Sequence, residues 1–263
     1  MSAAAFTNLI VTYNSLPDVL GLLADLDRHA SGSHAIVIDN ASFDGTAAAI
    51  RLQFPEVQLI SNPANVGYAR AVNQGFALCD SEYVFLLNPD IRIASPRVFH
   101  ELQHCLEASP QVAAAAPLQF KTGPRGPQLN FTWSYWTPAA FSLYLSYLLR
   151  HPQASRSPIS VRFLNAGCLF LRRSAFNKVG RLDEKYFLYG EEPDLFLKLW
   201  RHRFDCRLLP SVSVIHNRER SLGSVPLGAR LGFRLRGGLN IGDAVLRGLS
   251  NLLLDRLLGR HPA

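Results

Sequence analysis

The sequence has 263 residues, of which 48% are apolar and 18% charged, with 27 Lys and Arg against 20 Asp and Glu. That balance supports a buried core and excludes an intrinsically disordered chain, a collagen-like fibre and a disulfide-stapled miniprotein. No apolar run reaches the roughly 18–20 residues of a membrane span, and the first residues lack the basic segment of a secretory signal. Four widely spaced cysteines form no CxxC pair, which predicts reduced thiols and a cytoplasmic protein.

Short β-rich runs alternate with helical patterns in the first 110 residues. The predicted strands are Asn8–Thr12, Ala35–Asp39, Val57–Ile60 and Tyr83–Leu87, and the predicted helices are Leu16–His29, Thr46–Phe54 and Tyr68–Cys79. Strands that alternate with helices of this length predict an α/β fold, with a parallel sheet covered by helices on both faces. Ligands bind such sheets at the carboxyl ends of the strands. Here those ends carry Tyr13-Asn14, Asp39-Asn40 and Asn88-Pro89-Asp90.

The pattern changes in the second half of the chain. A stretch over 121–160 contains Gly and Pro, together with Trp133, Trp136 and the apolar run Ala139–Leu149. The later predicted strands are Val161–Leu164, Cys168–Leu171, Arg207–Leu209 and Val212–His216, and the later predicted helices are Ser174–Val179 and Asp194–Arg203. We therefore expect one domain over 1–216, with halves at 1–110 and 111–216, followed by a helical tail over 217–263.

Positive charge is concentrated in that tail. Residues 1–150 carry 8 Lys and Arg against 11 Asp and Glu, whereas residues 217–263 carry 8 against 3. Leucines recur at helical spacing among arginines over 243–260, which is typical of a basic amphipathic helix. Such a helix binds an anionic membrane surface, docks on its own domain or pairs with a second subunit as a homodimer, and the sequence leaves these alternatives open. The basic residues lie away from any nucleic-acid-reading module, so we expect no nucleic acid as partner.

Acidic side chains at two strand ends indicate binding chemistry. Asp39 can accept the ring N–H of a uracil or thymine base, whereas Asp44, in an Asp-Gly turn, is interpreted as a turn and cap residue. Asp90 can ligate a Mg²⁺ or Mn²⁺ ion that also bridges a diphosphate, and His216 can add a nitrogen ligand. A simple turn at Asp90 and a structural histidine at 216 are the alternatives.

Three carboxyl groups are crowded into Gly190-Glu191-Glu192-Pro193-Asp194. Like charges so close raise at least one pKa, as a general base working near neutral pH requires. Pro193 is expected at the first helical position, so that Glu191 and Glu192 precede the helix and at least one is free for catalysis.

The motifs, taken in order, resemble the inverting glycosyltransferases of family 2, which have the GT-A fold. The matching segments are Ile10–Asn14, Ile38–Ser42 with Asp44–Thr46, Asn65–Asn73, Asn88–Asp90, Asn165–Leu171, Tyr189–Leu195 and Val214–His216. Each segment is weakly diagnostic alone, but seven in the family's order over about 210 residues are specific. The sequences of the Asn-Pro-Asp and Gly-Glu-Glu-Pro-Asp-Leu motifs are most similar to those of bacterial rhamnosyltransferases that build surface polysaccharide.

The resemblance implies a role for individual residues. Glu192 stands at the position of the catalytic base, with Glu191 as the next candidate. The donor site would comprise Thr12, Tyr13, Asn14, Asp39, Asn40, Arg70, Asn73, Asn88 and Asp90. Asp90 and His216 would hold Mg²⁺ or Mn²⁺, and Gly167, with Trp133 and Trp136, would border the acceptor. Asn88 replaces the first Asp of the family's Asp-x-Asp motif, and Glu192 replaces the more frequent Asp, so metal dependence and the reach of the base differ from the common pattern.

The implied reaction is sugar transfer with inversion, from a nucleotide-diphospho-sugar to a hydroxyl group. The donor expected from these motif sequences is dTDP-rhamnose. The expected acceptor is a glycan or a lipid-linked saccharide, reached from the cytoplasmic face of the membrane. Two other functions stay open: a degenerate GT-A module that binds without transfer, and a sugar-nucleotidyltransferase. The second would have a Gly-rich N-terminal loop, where this sequence has Thr12-Tyr-Asn-Ser-Leu-Pro17.

Overall fold

The computed structural model describes residues 6–30, 32–122, 128–129, 141–142 and 157–216. The strands are β1 (Phe6–Thr12), β2 (His34–Asp39), β3 (Gln58–Ser61), β4 (Tyr83–Leu87), β5 (Ile91–Arg92), β6 (Val112–Lys121), β7 (Gln128–Leu129), β8 (Ile159–Val161), β9 (Cys168–Arg172) and β10 (Asp205–His216). The helices are α1 (Leu16–His29), α2 (Thr46–Gln53), α3 (Tyr68–Phe76), α4 (Arg97–Glu107), α5 (Arg173–Lys178) and α6 (Glu191–Arg201).

These strands form one mixed sheet in the order β3-β2-β1-β4-β9-β6-β10-β5, with β7 on β6 and β8 on β10. The parallel pairing expected for the first half is confirmed, because β1 runs parallel to both β2 and β4. The second half adds β9, which runs antiparallel to β4 and to β6. Strand direction has no signature in a run that is buried on both faces, since either direction buries the same side chains.

Helices cover both faces of the sheet, as the sequence predicts. On one face, α1 packs Leu22 and Leu26 beside α2 and α4 against strand residues such as Ile10. On the other, α3, α5 and α6 pack around Leu9 and Ile38, and Phe76 lies 4.1 Å from Phe176 between ring centroids. Each such buried side chain contributes about 1.5–3 kcal/mol by leaving water. The two apolar layers hold the strand ends at fixed positions along one edge.

Predicted and observed bounds agree for α1 and β4, and differ elsewhere. Helix α3 ends at Phe76, three residues before the predicted Cys79. The two strands predicted at Arg207–Leu209 and Val212–His216 are one strand, β10, whose register against β6 shifts between Leu209 and Ser213. Pro210 lies within that shift, and it has no N–H to donate to a neighbouring strand.

Some predictions fall outside the described residues: those for Trp133 and Trp136, and that for the tail over 217–263 with its helix at 243–260. None of the helices in the described part of the chain combines the length and the apolar character that crossing a bilayer requires. All four cysteines carry free thiols, three of them buried, in agreement with the prediction of reduced thiols.

Candidate active site

Buried polar atoms without partners mark the carboxyl ends of β1 and β2. Thr12 and Asp39 face each other in the register of these strands, and both are almost fully buried. Asp39 Oδ2 accepts a hydrogen bond from the Ser42 amide at 3.3 Å. Among the described residues, no donor or acceptor reaches Thr12 Oγ1 or Asp39 Oδ1. Since a buried unsatisfied polar atom costs about 1–3 kcal/mol, this pair is suited to receive the polar edge of a ligand.

Two loops form the rim beside this pair. The Asn14 amide donates to Ser42 Oγ at 2.8 Å, and the Phe43 amide donates to Asn14 Oδ1 at 2.9 Å. Asn14 adopts a left-handed φ of 48°, which asparagine tolerates better than most residues. Tyr13 lies edge-on to the exposed Phe43 ring, with centroids 6.4 Å apart. Two aromatic rings, one of them the exposed Phe43, therefore stand beside the strand ends.

Asp44 holds these two loops together. Its carboxylate accepts hydrogen bonds from the amides of Leu16 and Thr46, at 3.0 and 3.1 Å. The Thr46 hydroxyl also donates to this carboxylate, and these bonds together hold the pKa of Asp44 below its ordinary value, although burial opposes them. The predicted turn role of Asp44 is confirmed by this geometry, whereas the cap position of α2 is occupied by Gly45, which has no side chain to cap the helix.

Asn40 shapes the next part of the edge through its side-chain amide. It donates to Asn65 Oδ1 at 2.9 Å and to the Gly67 carbonyl at 3.3 Å. Its Oδ1 accepts from Asn62 Nδ2 at 3.1 Å. Asn40 thus fixes the 62–67 loop ahead of α3, and a direct contact with a donor stays a prediction.

Arg70 and Asn73 tie α3 to the loop over 180–184. Asn73 Nδ2 donates to the Leu182 carbonyl at 2.9 Å, and Asn73 Oδ1 accepts from the Leu182 amide at 3.2 Å. Arg70 Nε pairs with Glu184 at 3.1 Å, and both side chains are largely exposed. An exposed pair of this kind contributes about 0–1 kcal/mol. Arg70 therefore keeps the freedom to turn toward a diphosphate, whereas the amide of Asn73 is bonded to the loop.

Asp90 and His216 meet in the interior, as their predicted common role requires. The pairing of β5 with β10 sets His216 opposite Ile91, the residue after Asp90. His216 Nε2 lies 3.4 Å from Asp90 Oδ1, and both side chains are 3% exposed. In the described residues no cluster of three or more His, Cys, Asp or Glu side chains could hold a metal ion. This pair can supply two ligands, and a bound diphosphate or water can supply others.

An ion pair between the exposed Arg92 and the buried Asp25 anchors the short strand that follows Asp90. Arg92 donates to both carboxylate oxygens of Asp25 on α1, at 2.7 and 2.9 Å, and the Ile93 amide donates to the same carboxylate at 3.0 Å. This bidentate contact between Arg92 and Asp25 fixes β5 against α1. The position of Asp90 is thereby set from the far side of the sheet.

Gln119 and Asn165 surround His216, and the sequence analysis gives neither a role. Gln119 Oε1 lies 2.7 Å from His216 Nδ1, and Gln119 Nε2 donates to the Asn165 carbonyl at 3.2 Å. Gly167 packs on the imidazole so closely that a Cβ there would overlap His216 Cε1. Gly167 also accepts a hydrogen bond from the Asn88 amide at 2.8 Å. The predicted acceptor contact of Gly167 stays a prediction, but its small size has a packing reason.

The helix predicted from Asp194 begins earlier, at Glu191, so the expectation that both glutamates precede it is wrong. Gly190, with a left-handed φ of 102°, is the residue before the helix, and Pro193 is its third residue. Proline is tolerated there because the first N–H groups of a helix have no partner within it. Glu191 and Glu192 therefore lie in the first turn, where the helix dipole stabilises negative charge.

The two glutamates have different surroundings. Glu191 is 2% exposed, and Oε2 of its carboxyl group has no hydrogen-bond partner in the described residues. Burial, with the neighbouring charge of Glu192, raises the pKa of Glu191 to about 8. Glu192 is partly exposed. Of these two glutamates, Glu192 is the one with access from solvent, as a base that meets an incoming hydroxyl needs.

Tyr68, which the sequence analysis leaves without a role, lies at the centre of the acidic groups. Burial and the nearby carboxyls of Glu192, Glu191 and Asp90 raise the pKa of Tyr68 well above its ordinary value. Its hydroxyl donates to Asn88 Oδ1 at 3.3 Å. The glutamates of α6 and the strand-end residues of β4 therefore face one site, although about 100 residues separate them in sequence.

Comparisons with known proteins concern the family and the fold. An L-rhamnosyltransferase of Mycobacterium tuberculosis, named for N-acetylglucosaminyl-diphospho-decaprenol, is 28% identical over 241 residues, which cover 82% of this chain and 77% of the relative. Among solved structures, the Pyrobaculum calidifontis mannosyltransferase PcManGT with GDP-Man and Mn²⁺ has a TM-score of 0.66 at 16% identity, covering 94% of this chain and 65% of that one. GalNAc-T7 with UDP, GalNAc and Mn²⁺ has a TM-score of 0.64 at 15% identity, covering 82% and 44%.

The chain thus spans less than two thirds of the length of either solved structure. Both share its fold, a mixed sheet flanked by helices, which is the GT-A fold. The sequence model described as glycosyl transferase family 2 matches residues 8–180, more than half of the chain. This protein belongs to glycosyl transferase family 2.

Proposed function

We propose that the protein transfers a sugar, with inversion, from a nucleoside-diphospho-sugar to a hydroxyl group of a glycan or lipid-linked acceptor. The placement of Thr12, Asp39 and Asp90 at or after the ends of neighbouring parallel strands, with Glu192 and Asp90 both near Tyr68, carries this proposal. Family membership supports the reaction class. The name of the mycobacterial relative supports L-rhamnose as the sugar and a lipid-linked saccharide as the acceptor. That dTDP carries the rhamnose is an expectation from the sequence motifs.

The nucleotide would bind at the ends of β1 and β2. Asp39 Oδ1 is buried and unsatisfied, and a thymine or uracil ring presents an N–H that can donate to it. Tyr13 and Phe43 offer aromatic rings beside these strand ends for the base. The diphosphate would then extend along the edge toward Asp90, and the largely exposed Arg70 side chain would turn to meet it.

Glu192 would act as the base. The acceptor oxygen forms a bond to the anomeric carbon on the face opposite the diphosphate, while the carbon–oxygen bond to the diphosphate breaks and its electron pair leaves with the phosphate oxygen. Glu192 takes the hydroxyl proton as this happens. At pH 7 the raised pKa keeps Glu191 largely protonated, so that Glu191 does not repel the charge of Glu192.

The residues fit a divalent cation at Asp90 and His216. A carboxylate oxygen and an imidazole nitrogen face each other across 3.4 Å in the interior, and no hydrogen-bond donor of the described residues satisfies Asp90 Oδ1. Oxygen and imidazole ligands suit Mn²⁺ and Mg²⁺. When bound, such an ion supplies positive charge that stabilises the leaving diphosphate. A bound cation would also explain why the buried side chains of Asp90 and His216 lie so close together.

Released nucleoside diphosphate tests the proposal. Purified protein is incubated with dTDP-rhamnose and a diphospho-lipid-linked N-acetylglucosamine, and dTDP and the glycosylated lipid are quantified together. Equal amounts of both products, with the anomeric configuration opposite to that of the donor, are expected. Binding of the donor without any release of dTDP would instead indicate a binding module, and consumption of a nucleoside triphosphate would indicate a nucleotidyltransferase.

A further inference from the structure

The buried amide of Gln119 bridges two parts of the site. Gln119 is 4% exposed and lies on β6, the strand beside β10. Its Nε2 donates to the Asn165 carbonyl at 3.2 Å, and its Oε1 lies 2.7 Å from His216 Nδ1. Both ends of the amide are therefore engaged, and one of them meets a proposed ligand of the cation.

The partners of the amide fix its orientation. The Asn165 carbonyl oxygen can only accept a hydrogen bond, so the NH₂ end of Gln119 must face it. The oxygen end then faces His216, and an amide oxygen can only accept as well. His216 Nδ1 must therefore carry a proton and donate it to Gln119 Oε1.

A proton on Nδ1 determines whether Nε2 directs a lone pair or an N–H group toward Asp90. A neutral imidazole carries one ring proton, so Nε2 turns a lone pair toward Asp90 Oδ1, 3.4 Å away. A nitrogen that binds a metal ion must be unprotonated. In the opposite tautomer, Nε2–H would donate to Asp90. Its proton would then occupy the space between Nε2 and Asp90 in which the proposed cation would bind.

We infer that Gln119 is a positioning residue that holds His216 in the Nδ1-protonated tautomer, so that Nε2 and Asp90 together receive the divalent cation. The inference rests on the proposed function, since that function supplies the cation. Gly167 completes the arrangement, because the absence of a side chain there leaves room for the imidazole against the 165–167 turn. The contact is the hydrogen bond that tunes a metal-binding histidine through its other nitrogen.

Two variants separate this role from a general effect on folding. Gln119→Leu keeps the size of the side chain but removes the acceptor, whereas Gln119→Glu keeps an acceptor oxygen for Nδ1–H. Asn8→Leu is the matched control, because it removes a buried amide that donates to Ser33 Oγ at 2.7 Å, at the opposite end of β1. Thermal unfolding of all three variants shows that each is folded at the temperature of the measurements.

The first readout is the tautomer itself in metal-free protein. Nitrogen-15 NMR of the His216 ring, assigned by its loss in His216→Gln, is expected to show Nδ1 protonated in the wild type, in Gln119→Glu and in Asn8→Leu. In Gln119→Leu the proton is expected on Nε2, donated to Asp90. A wild-type Nδ1 without a proton, or a tautomer that Gln119→Leu leaves unchanged, would overturn the inference.

The second readout is Mn²⁺ affinity, titrated by electron paramagnetic resonance in the presence of dTDP. Gln119→Leu is expected to bind Mn²⁺ about 10–100-fold more weakly, the usual effect of losing such a partner, while Gln119→Glu and Asn8→Leu stay within a few-fold of the wild type. Equal Mn²⁺ affinity in Gln119→Leu and wild type would overturn the inference. A wild type that shows Nδ1–H and binds no Mn²⁺ would contradict the proposed cation instead, and would still support the tautomer.

Discussion

Glu191→Gln should stabilise the protein increasingly as the pH rises. The pKa of the buried Glu191 is about 8, against an ordinary value of 4.5 in the unfolded chain. A raised pKa means that the folded state binds the proton more tightly than the unfolded chain does. The stabilisation that the bound proton gives is complete below about pH 4.5 and is lost as the pH rises through about 8. Between pH 5 and 7 the wild type should therefore lose about 2–3 kcal/mol of stability from this group alone. Glutamine has nearly the shape of the protonated acid and no proton to lose, so the variant escapes this loss.

Urea unfolding of both proteins at pH 5, 6, 7 and 8 measures the effect. The stability difference between Glu191→Gln and wild type should grow across this range in favour of the variant. Glu107→Gln, at an exposed position on α4, is the control, because it should show a nearly constant difference. A Glu191→Gln difference that does not change with pH would refute the conclusion that Glu191 is a buried, protonated acid.

Other predictions concern the donor site and the tail. In calorimetric titrations, Asp90→Ala should weaken dTDP binding when Mn²⁺ is present but not when a chelator is present, whereas Asp39→Ala should weaken it under both conditions. The cation role would be contradicted if the chelator left wild-type affinity unchanged and Asp90→Ala bound dTDP normally. The full chain should co-sediment with anionic liposomes in a salt-sensitive way, because each basic residue near such a surface contributes about 1 kcal/mol. Truncation after Ser221 should abolish this, and equal pelleting of both forms would favour a tail that docks on the domain.

Much of the fold could be predicted because the apolar periodicity of the first half is strong. The patterns over Leu16–His29 and Tyr83–Leu87 give the observed bounds of α1 and β4. Strand β6 is the counter-example, since its central part is a run of alanines followed by Pro117. Alanine has low strand propensity, and proline is rare in inner strands. Only the neighbouring strands β9 and β10, which are distant in sequence, make that segment a strand.

The candidate site could be predicted less completely, because strand ends are visible in a sequence while contacts between distant segments are not. Asp39, Asp90 and Glu192 stand out as acids after apolar runs or before a helix. The partner of His216 lies 97 residues away at Gln119, and no spacing rule connects them. The available signal was a lone amide within an otherwise apolar run, at a position that the strand buries.

The division between binding and positioning residues also needed the structure. Asn40 and Asn73 look like ligand-binding amides in the sequence, yet their side chains bond the 62–67 loop and the 180–184 loop respectively. Asparagine serves both purposes because it both donates and accepts, so its type and location do not decide between them. The distinction appears only when each hydrogen bond of the side chain is accounted for.

The turnover of Glu192→Gln, compared with that of Glu191→Gln, tests most directly the claim that Glu192 is the base for sugar transfer. Both variants remove one carboxyl group from the first turn of α6, but only Glu192 is open to solvent. With dTDP-rhamnose and the lipid-linked acceptor at pH 7, Glu192→Gln should lower kcat by about 10²–10⁴-fold at nearly constant donor affinity, and Glu191→Gln should lower it by much less. Wild-type turnover in Glu192→Gln, or a larger loss in Glu191→Gln, would contradict the account.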